Sequence, residues 1–182
     1  MKFSILAILF ILFVSFQCTK DLEDPIADQE ILFAKIYENH AWANNFSGWI
    51  IDNAGYIRGF SLQRNPDLDW KKYSDSGFNT AEELFYNIMQ TDTTLTNISL
   101  SELFKYYQLI EPASKGVLSE SESGGADMGQ NTYFAIQYFP ELKSYRWIVL
   151  NSEGDFQVHN ISPEAGKIYH WLKQVDQFAS SK

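Results

Sequence analysis

The chain has 182 residues, of which 45% are hydrophobic and 16% aromatic, and 14 Lys and Arg stand against 23 Asp and Glu for a formal charge of −9. That excess of acid argues against a nucleic-acid partner, since phosphate neutralisation needs Lys and Arg, and it leaves no electrostatic pull toward anionic lipid. A single cysteine excludes an intramolecular disulfide.

Residues Met1 to Cys18 run MKFSILAILFILFVSFQC. Lys2 gives a positive start, Ile5 to Val14 is an unbroken apolar run, and Ser15, Phe16 and Gln17 lead into the only cysteine. A spanning helix needs about 20 apolar residues to cross roughly 30 Å of hydrocarbon, and this run is too short. The segment resembles a bacterial lipoprotein signal peptide. It departs from the usual lipobox at Ser15 and Gln17, where Leu or Val and a small residue are customary. Relaxed forms of this kind are familiar in Bacteroidota, whose Ile-, Phe-, Tyr- and Asn-rich composition the chain shares. The resemblance implies removal of residues 1–17, acylation at Cys18 and a lipid-anchored envelope protein, in the outer membrane and facing the periplasm or the cell surface. Two or three acyl chains anchor stably where one is marginal. Ordinary cleavage near Ser15 to Cys18, releasing a soluble secreted domain, is the alternative. Cleavage leaves 182 − 17 = 165 residues, enough for one domain, with side chains summing to 13 − 23 = −10.

Residues 18–27, with Pro25, form the expected lipidated cysteine and flexible tether, and residues 28–182 the single folded domain. Leu32, Phe33, Ile36, Tyr37, His40 and Ala43 recur at helical spacing and predict a helix over Asp28–Asn44, with His40 packed on its apolar face. Trp49-Ile50-Ile51 and Tyr56–Phe60 flank Asp52-Asn53-Ala54-Gly55 and predict a hairpin within Ser47–Leu62. Residues 63–78 read as a polar loop. Thr80 with Glu83, and Ser99 with Glu102, predict capping boxes opening two short helices, the second ended by Pro112.

Glu111–Asn131 reads as a long loop, either functional or disordered. Thr132–Phe139, Tyr145–Leu150 and Asp155–Ile161 alternate as three antiparallel strands, turning at Pro140–Ser144 and at Asn151–Gly154. Ser162-Pro163 starts a closing helix with the stripe Ala165, Ile168, Tyr169, Leu172 and Val175. The expected class is α+β: an antiparallel sheet, made of the N-terminal hairpin and the C-terminal meander, with helices packed on a face.

The sequence carries no Gly-x-Ser-x-Gly elbow, no phosphate-cradling glycine loop and no paired histidines for zinc, and it calls for no cofactor and no metal. Asn45, Asn97 and Asn160 open glycosylation triplets that a short Asn/Ser-rich motif produces by chance. The candidate binding surface joins Asp127, Asn131 and Tyr133 of the Gly125–Tyr133 segment to Trp49 and Trp70. The leading expectation is a non-enzymatic accessory, inhibitor or immunity-like domain that binds an envelope protein. A glycan or small-ligand module using exposed Trp49, Trp70 or Trp147 is the alternative. A hydrolase with a carboxylate pair drawn from Glu120, Glu122 and Asp127 ranks behind both.

Overall fold

The computed structural model describes Ile26, residues 28–41 and residues 44–180. The signal segment, Cys18 and the tether as far as Pro25 lie outside these residues, as does Ala43. The fold is α+β. In chain order its elements are β1 (Ile31–Asn39), β2 (Asn45–Asp52), β3 (Tyr56–Ser61), β4 (Phe78–Thr80), α1 (Ala81–Met89), β5 (Thr93–Asn97), α2 (Leu100–Tyr107), a single-turn α3 (Ile110–Ala113), β6 (Glu122–Ser123), β7 (Gln130–Phe139), β8 (Ser144–Gly154), β9 (Phe156–His159) and α4 (Pro163–Ser180). The strands form one antiparallel sheet in the order β5-β3-β2-β1-β7-β8-β9-β6, with β4 paired to β8.

The predicted helix over 28–44 is instead β1, the strand that joins the N-terminal hairpin to the meander. It pairs with β2 from Ile31↔Asp52 to Asn39↔Asn45, and with β7 from Phe33↔Ala135 to Glu38↔Gln130. A central strand covered on both faces shows a near-continuous apolar run rather than alternation. Ile-Leu-Phe-Ala-Lys-Ile-Tyr is such a run, and its spacing fits a helix equally well. A register shift between Ile31 and Phe33 turns Leu32 and Phe33 to the same face. Buried Gln29 spans this irregularity, donating to the carbonyls of Ile31 at 2.8 Å and Ile136 at 2.5 Å and accepting from the Tyr138 amide. His40 is exposed just beyond β1, not packed in a core.

Both faces of the sheet are buried. One carries Phe33, Trp49, Ile51, Tyr133, Ile148 and Leu150 under α2, α3 and α4. Ile26, read from sequence as part of the tether, belongs to this core. The other face carries Ala34, Ile36, Ile50, Phe60, Phe134 and Trp147 beneath α1 and the segment before β4. That segment reads as a polar loop, yet Leu68 and Trp70 are buried in it, and its end forms β4. Fully buried Asn87 of α1 holds it, accepting from the Lys71 amide and donating to the Lys71 carbonyl, both at 2.7 Å.

The 52–55 turn forms as predicted. Asp52 accepts from the amides of Ala54 and Tyr56 and pairs with Arg58 at 2.9 Å. Thr80 and Glu83 make the full capping box. Ser99 caps Glu102, but the Glu102 carboxylate accepts from Trp171 Nε1 at 2.8 Å instead of returning to the cap. Pro112 does not end a helix; it sits in the first turn of α3, where no amide donor is needed.

Part of Glu111–Asn131 is tied down. Leu118 bridges Asn160, β6 pairs β9, and β7 already starts at Gln130. Strand β8 runs through the predicted turn to Gly154, so the chain reverses around Asp155. β5 is a strand that the sequence pattern does not predict, and it pairs with β3. Asn160 is buried, donating to the Ala113 and Val149 carbonyls, so its glycosylation triplet is inaccessible.

Candidate binding groove

The five candidate residues separate onto different parts of the fold. Trp49 and Tyr133 meet, but inside the α4-covered face. There the Asp176 carboxylate accepts from Trp49 Nε1 at 2.8 Å, from the Tyr133 hydroxyl at 3.1 Å, and from Lys35 Nζ at 2.8 and 3.0 Å. Burial alone would raise the Asp176 carboxyl; the Lys35 and Trp49 bonds, the Lys35 charge and the Tyr133 bond outweigh it and hold the carboxyl below its ordinary range. Burial, the Asp176 charge and the bond to it push the Tyr133 hydroxyl far above its ordinary value. Every polar group in this cluster has its partner inside the fold, so it works as a clasp between β1, β2, β7 and α4.

Trp70 lies under the other face, stacked on Phe60 with ring centroids 3.9 Å apart. Trp147 is also buried, beside Phe134 and Tyr73. The exposed tryptophan platform expected for a glycan is therefore not formed by Trp49, Trp70 or Trp147. Asp127 and Asn131 do come together, at the end of the sheet where β1 finishes and β7 starts. Asn131 pairs with Tyr37 of β1, and exposed Asp127 gives its carbonyl to Asn39 Nδ2 at 3.5 Å.

Three adjoining cavities open at this end, of about 480, 200 and 80 Å³. His40 lines the first and second, Glu38 and Gln130 the first and third, and Lys72 the second and third. Through these shared residues they form one groove. Its wall is set by backbone constraints. Gly129 (φ 76°) passes over Tyr37, and a Cβ there would stand 2.7 Å from the Tyr37 hydroxyl. A Cβ on Gly154 (φ 140°) would run into the Gly129 carbonyl. The Met128 amide donates to Asp155 at 2.7 Å. Gln130 clamps the start of β9, donating to the Phe156 carbonyl at 2.7 Å and accepting from its amide at 3.0 Å. It also donates to Ser152 Oγ, which meets Thr132 Oγ1 at 2.8 Å.

The groove is acidic. Glu38, Asp69 and Asp155 line it; Glu38 pairs with Lys72 at 2.6 Å and Asp69 with Lys71 at 2.7 Å, so Asp155, which accepts from the Met128 amide, is the carboxylate with no lysine against it among the described residues. His40 faces Asn44 at 3.2 Å and Glu38 at 3.9 Å. Phe156, which lines the first cavity, is 61% exposed, and Met128, whose amide bonds the lining Asp155, is 60% exposed. Tyr73 closes one side, its hydroxyl raised by burial and by the Glu38 charge. Glu120, Glu122 and Asp127, the proposed hydrolytic acids, are all exposed and none lines these cavities. Among the described residues, no three His, Cys, Asp or Glu side chains converge as a metal site. The arrangement can offer carboxylates and two apolar side chains to a ligand from a wall fixed by backbone bonds.

Sequence reading missed Glu38, Lys72, Gln130, Ser152, Asp155 and Phe156. They come from four separated stretches of chain, and none stands in a motif. Two carried a signal: Ser152 stood in the predicted Asn151–Gly154 turn, and Gln130 in the Gly125–Tyr133 segment. Comparison of the chain with protein-family models, curated proteins and solved structures gave no match.

Proposed function

We propose that the chain is a lipid-anchored envelope protein, acylated at Cys18, whose domain is a non-enzymatic module binding a basic segment of a protein partner in the groove. One observation carries this reading: the tether enters at one pole of the sheet and the groove opens at the other. Strand β1 runs from Ile31, next to the chain entry, to Asn39 at the groove. At about 3.3 Å per residue that separation is roughly 26 Å. In this reading the anchor and the groove belong to opposite poles, and a tether reaching up to about 29 Å lets the groove stand clear of the bilayer.

Acid lining and exposed Phe156 and Met128 favour a partner that brings cations and apolar side chains together. The burial of Trp49, Trp70 and Trp147 supports a protein over a glycan.

Binding to an array of Lys/Arg-rich and Asp/Glu-rich peptides tests the reading. Basic peptides should bind, weaken as salt rises, and lose about tenfold or more with Asp155→Lys. Equal binding of both peptide sets, or no effect of Asp155→Lys, would refute it. Intact mass and membrane fractionation beside Cys18→Ala test the anchor separately. Acyl mass and membrane association lost in the variant are the expected result.

A further inference from the structure

At the pole where the chain enters, α2 carries a second apolar stripe. Leu103 points inward and is fully buried. Leu100 and Phe104 follow at i and i+4 and are 57% and 38% exposed, while Tyr107, stacked on Phe104 at 6.4 Å, is half-buried and packs against the core. A helix of this amphipathic kind normally keeps its outer face polar.

The chain entry adjoins this helix. Ile26 packs in the same core as Leu103 and Ile110. Gln29 shares a cavity of about 290 Å³ with Tyr107, Gln108 and Ile110. Cys18 and Ile26 are 26 − 18 = 8 residues apart. Such a stretch reaches at most about 29 Å when fully extended.

We propose that the exposed Leu100–Phe104 face of α2 lies on the lipid bilayer that holds Cys18, at the headgroup–acyl boundary; the inference rests on the anchor reading above. The tether joins the domain beside this helix, which makes α2 the apolar surface next to the attachment point, and Leu with an aromatic ring is the side-chain chemistry that enters an interface. The domain is net acidic, so the contact depends on apolar burial and proximity rather than on charge attraction. Docking through α2 would fix the orientation of the domain, with the groove outward.

The test expresses the full chain, extracts the processed protein and reconstitutes it in phosphatidylcholine vesicles with or without brominated acyl chains, which quench tryptophan by contact. Phe104→Trp places a reporter on the stripe, and Phe156→Trp places one at the opposite pole. Bromolipid should lower the added emission of Phe104→Trp about twofold or more, the depth of an interfacial helix being about 5–10 Å, and leave that of Phe156→Trp unchanged. No quenching of Phe104→Trp, or equal quenching of both, overturns the docking. Should Phe104→Trp not melt cooperatively, Leu100→Trp one turn earlier carries the same readout. Intact mass reads the anchor independently. If Cys18 is unacylated, the anchor reading fails, and the same measurement is made with Cys18 coupled to a maleimide-headgroup lipid. Quenching of the stripe then supports its affinity for the interface, and its absence overturns it.

Discussion

The Asp176 carboxylate shows how one side chain can hold four elements together. It receives Lys35 from β1, Trp49 from β2 and Tyr133 from β7 while sitting on α4. Removing it strands a partly buried ammonium and two donors. Asp176→Ala should therefore cost roughly 2–4 kcal/mol in urea unfolding, and Asp176→Asn somewhat less. Because the folded carboxyl titrates below its unfolded value, its contribution is present above the unfolded pKa and disappears as pH falls through the folded one. The tyrosines act at the other end of the scale. Burial pushes the Tyr145 hydroxyl up to about 12, and Tyr133 and Tyr169 rise further. A raised hydroxyl stabilises below the unfolded value of about 10 and loses that contribution as pH rises through the folded one. Urea midpoints should fall steeply above about pH 10, and Tyr145→Phe should flatten part of that fall.

Among the elements, β1 and α1 depend on partners that local pattern does not record. The β1 segment has helical spacing, but its hydrogen bonds go to β2 and β7, and its side chains fill two cores. Helix α1 was legible from its capping box. Its use was not, because the clasp of Asn87 on Lys71 joins residues 16 positions apart. Asn87→Leu leaves the Lys71 amide and carbonyl without their partners, and we expect a loss of roughly 2–4 kcal/mol. Phe85→Ser on the exposed side of the same helix should change stability by less than about 0.5 kcal/mol. Paired urea titrations with unchanged slopes would check both. Near equality of the two variants would show that the clasp is not holding the segment before β4.

The whole molecule is a sheet with two covered faces and two unlike poles. The anchor pole carries Ile26, α2 and an apolar stripe; the opposite pole carries the acidic groove. Separation of the two predicts that anchoring does not obstruct binding. A basic peptide should bind acylated protein in vesicles and soluble Cys18→Ala protein with affinities within about twofold, a difference of about 0.4 kcal/mol. Isothermal titration of both forms checks it. A tenfold loss on anchoring would place the groove against the bilayer and contradict the polar arrangement.

By itself the sequence determined the features whose physics is local. The 52–55 turn needs only Asp52 bonding its own following amides and Gly55 at φ 85°. The Thr80–Glu83 cap, the Ser162-Pro163 start and the 140–144 reversal between β7 and β8 are likewise set within a few residues of chain. The α+β class followed from them. Tertiary structure alone decided that β1 is a strand, since two-sided burial erases the alternation that would reveal it. It also decided that Trp49 and Tyr133 serve Asp176 and not a ligand. The groove was beyond sequence reach for the same reason: Glu38 and Gln130 meet through the antiparallel pairing of β1 and β7, and Lys72 and Asp155 reach them from the segment before β4 and from the turn between β8 and β9.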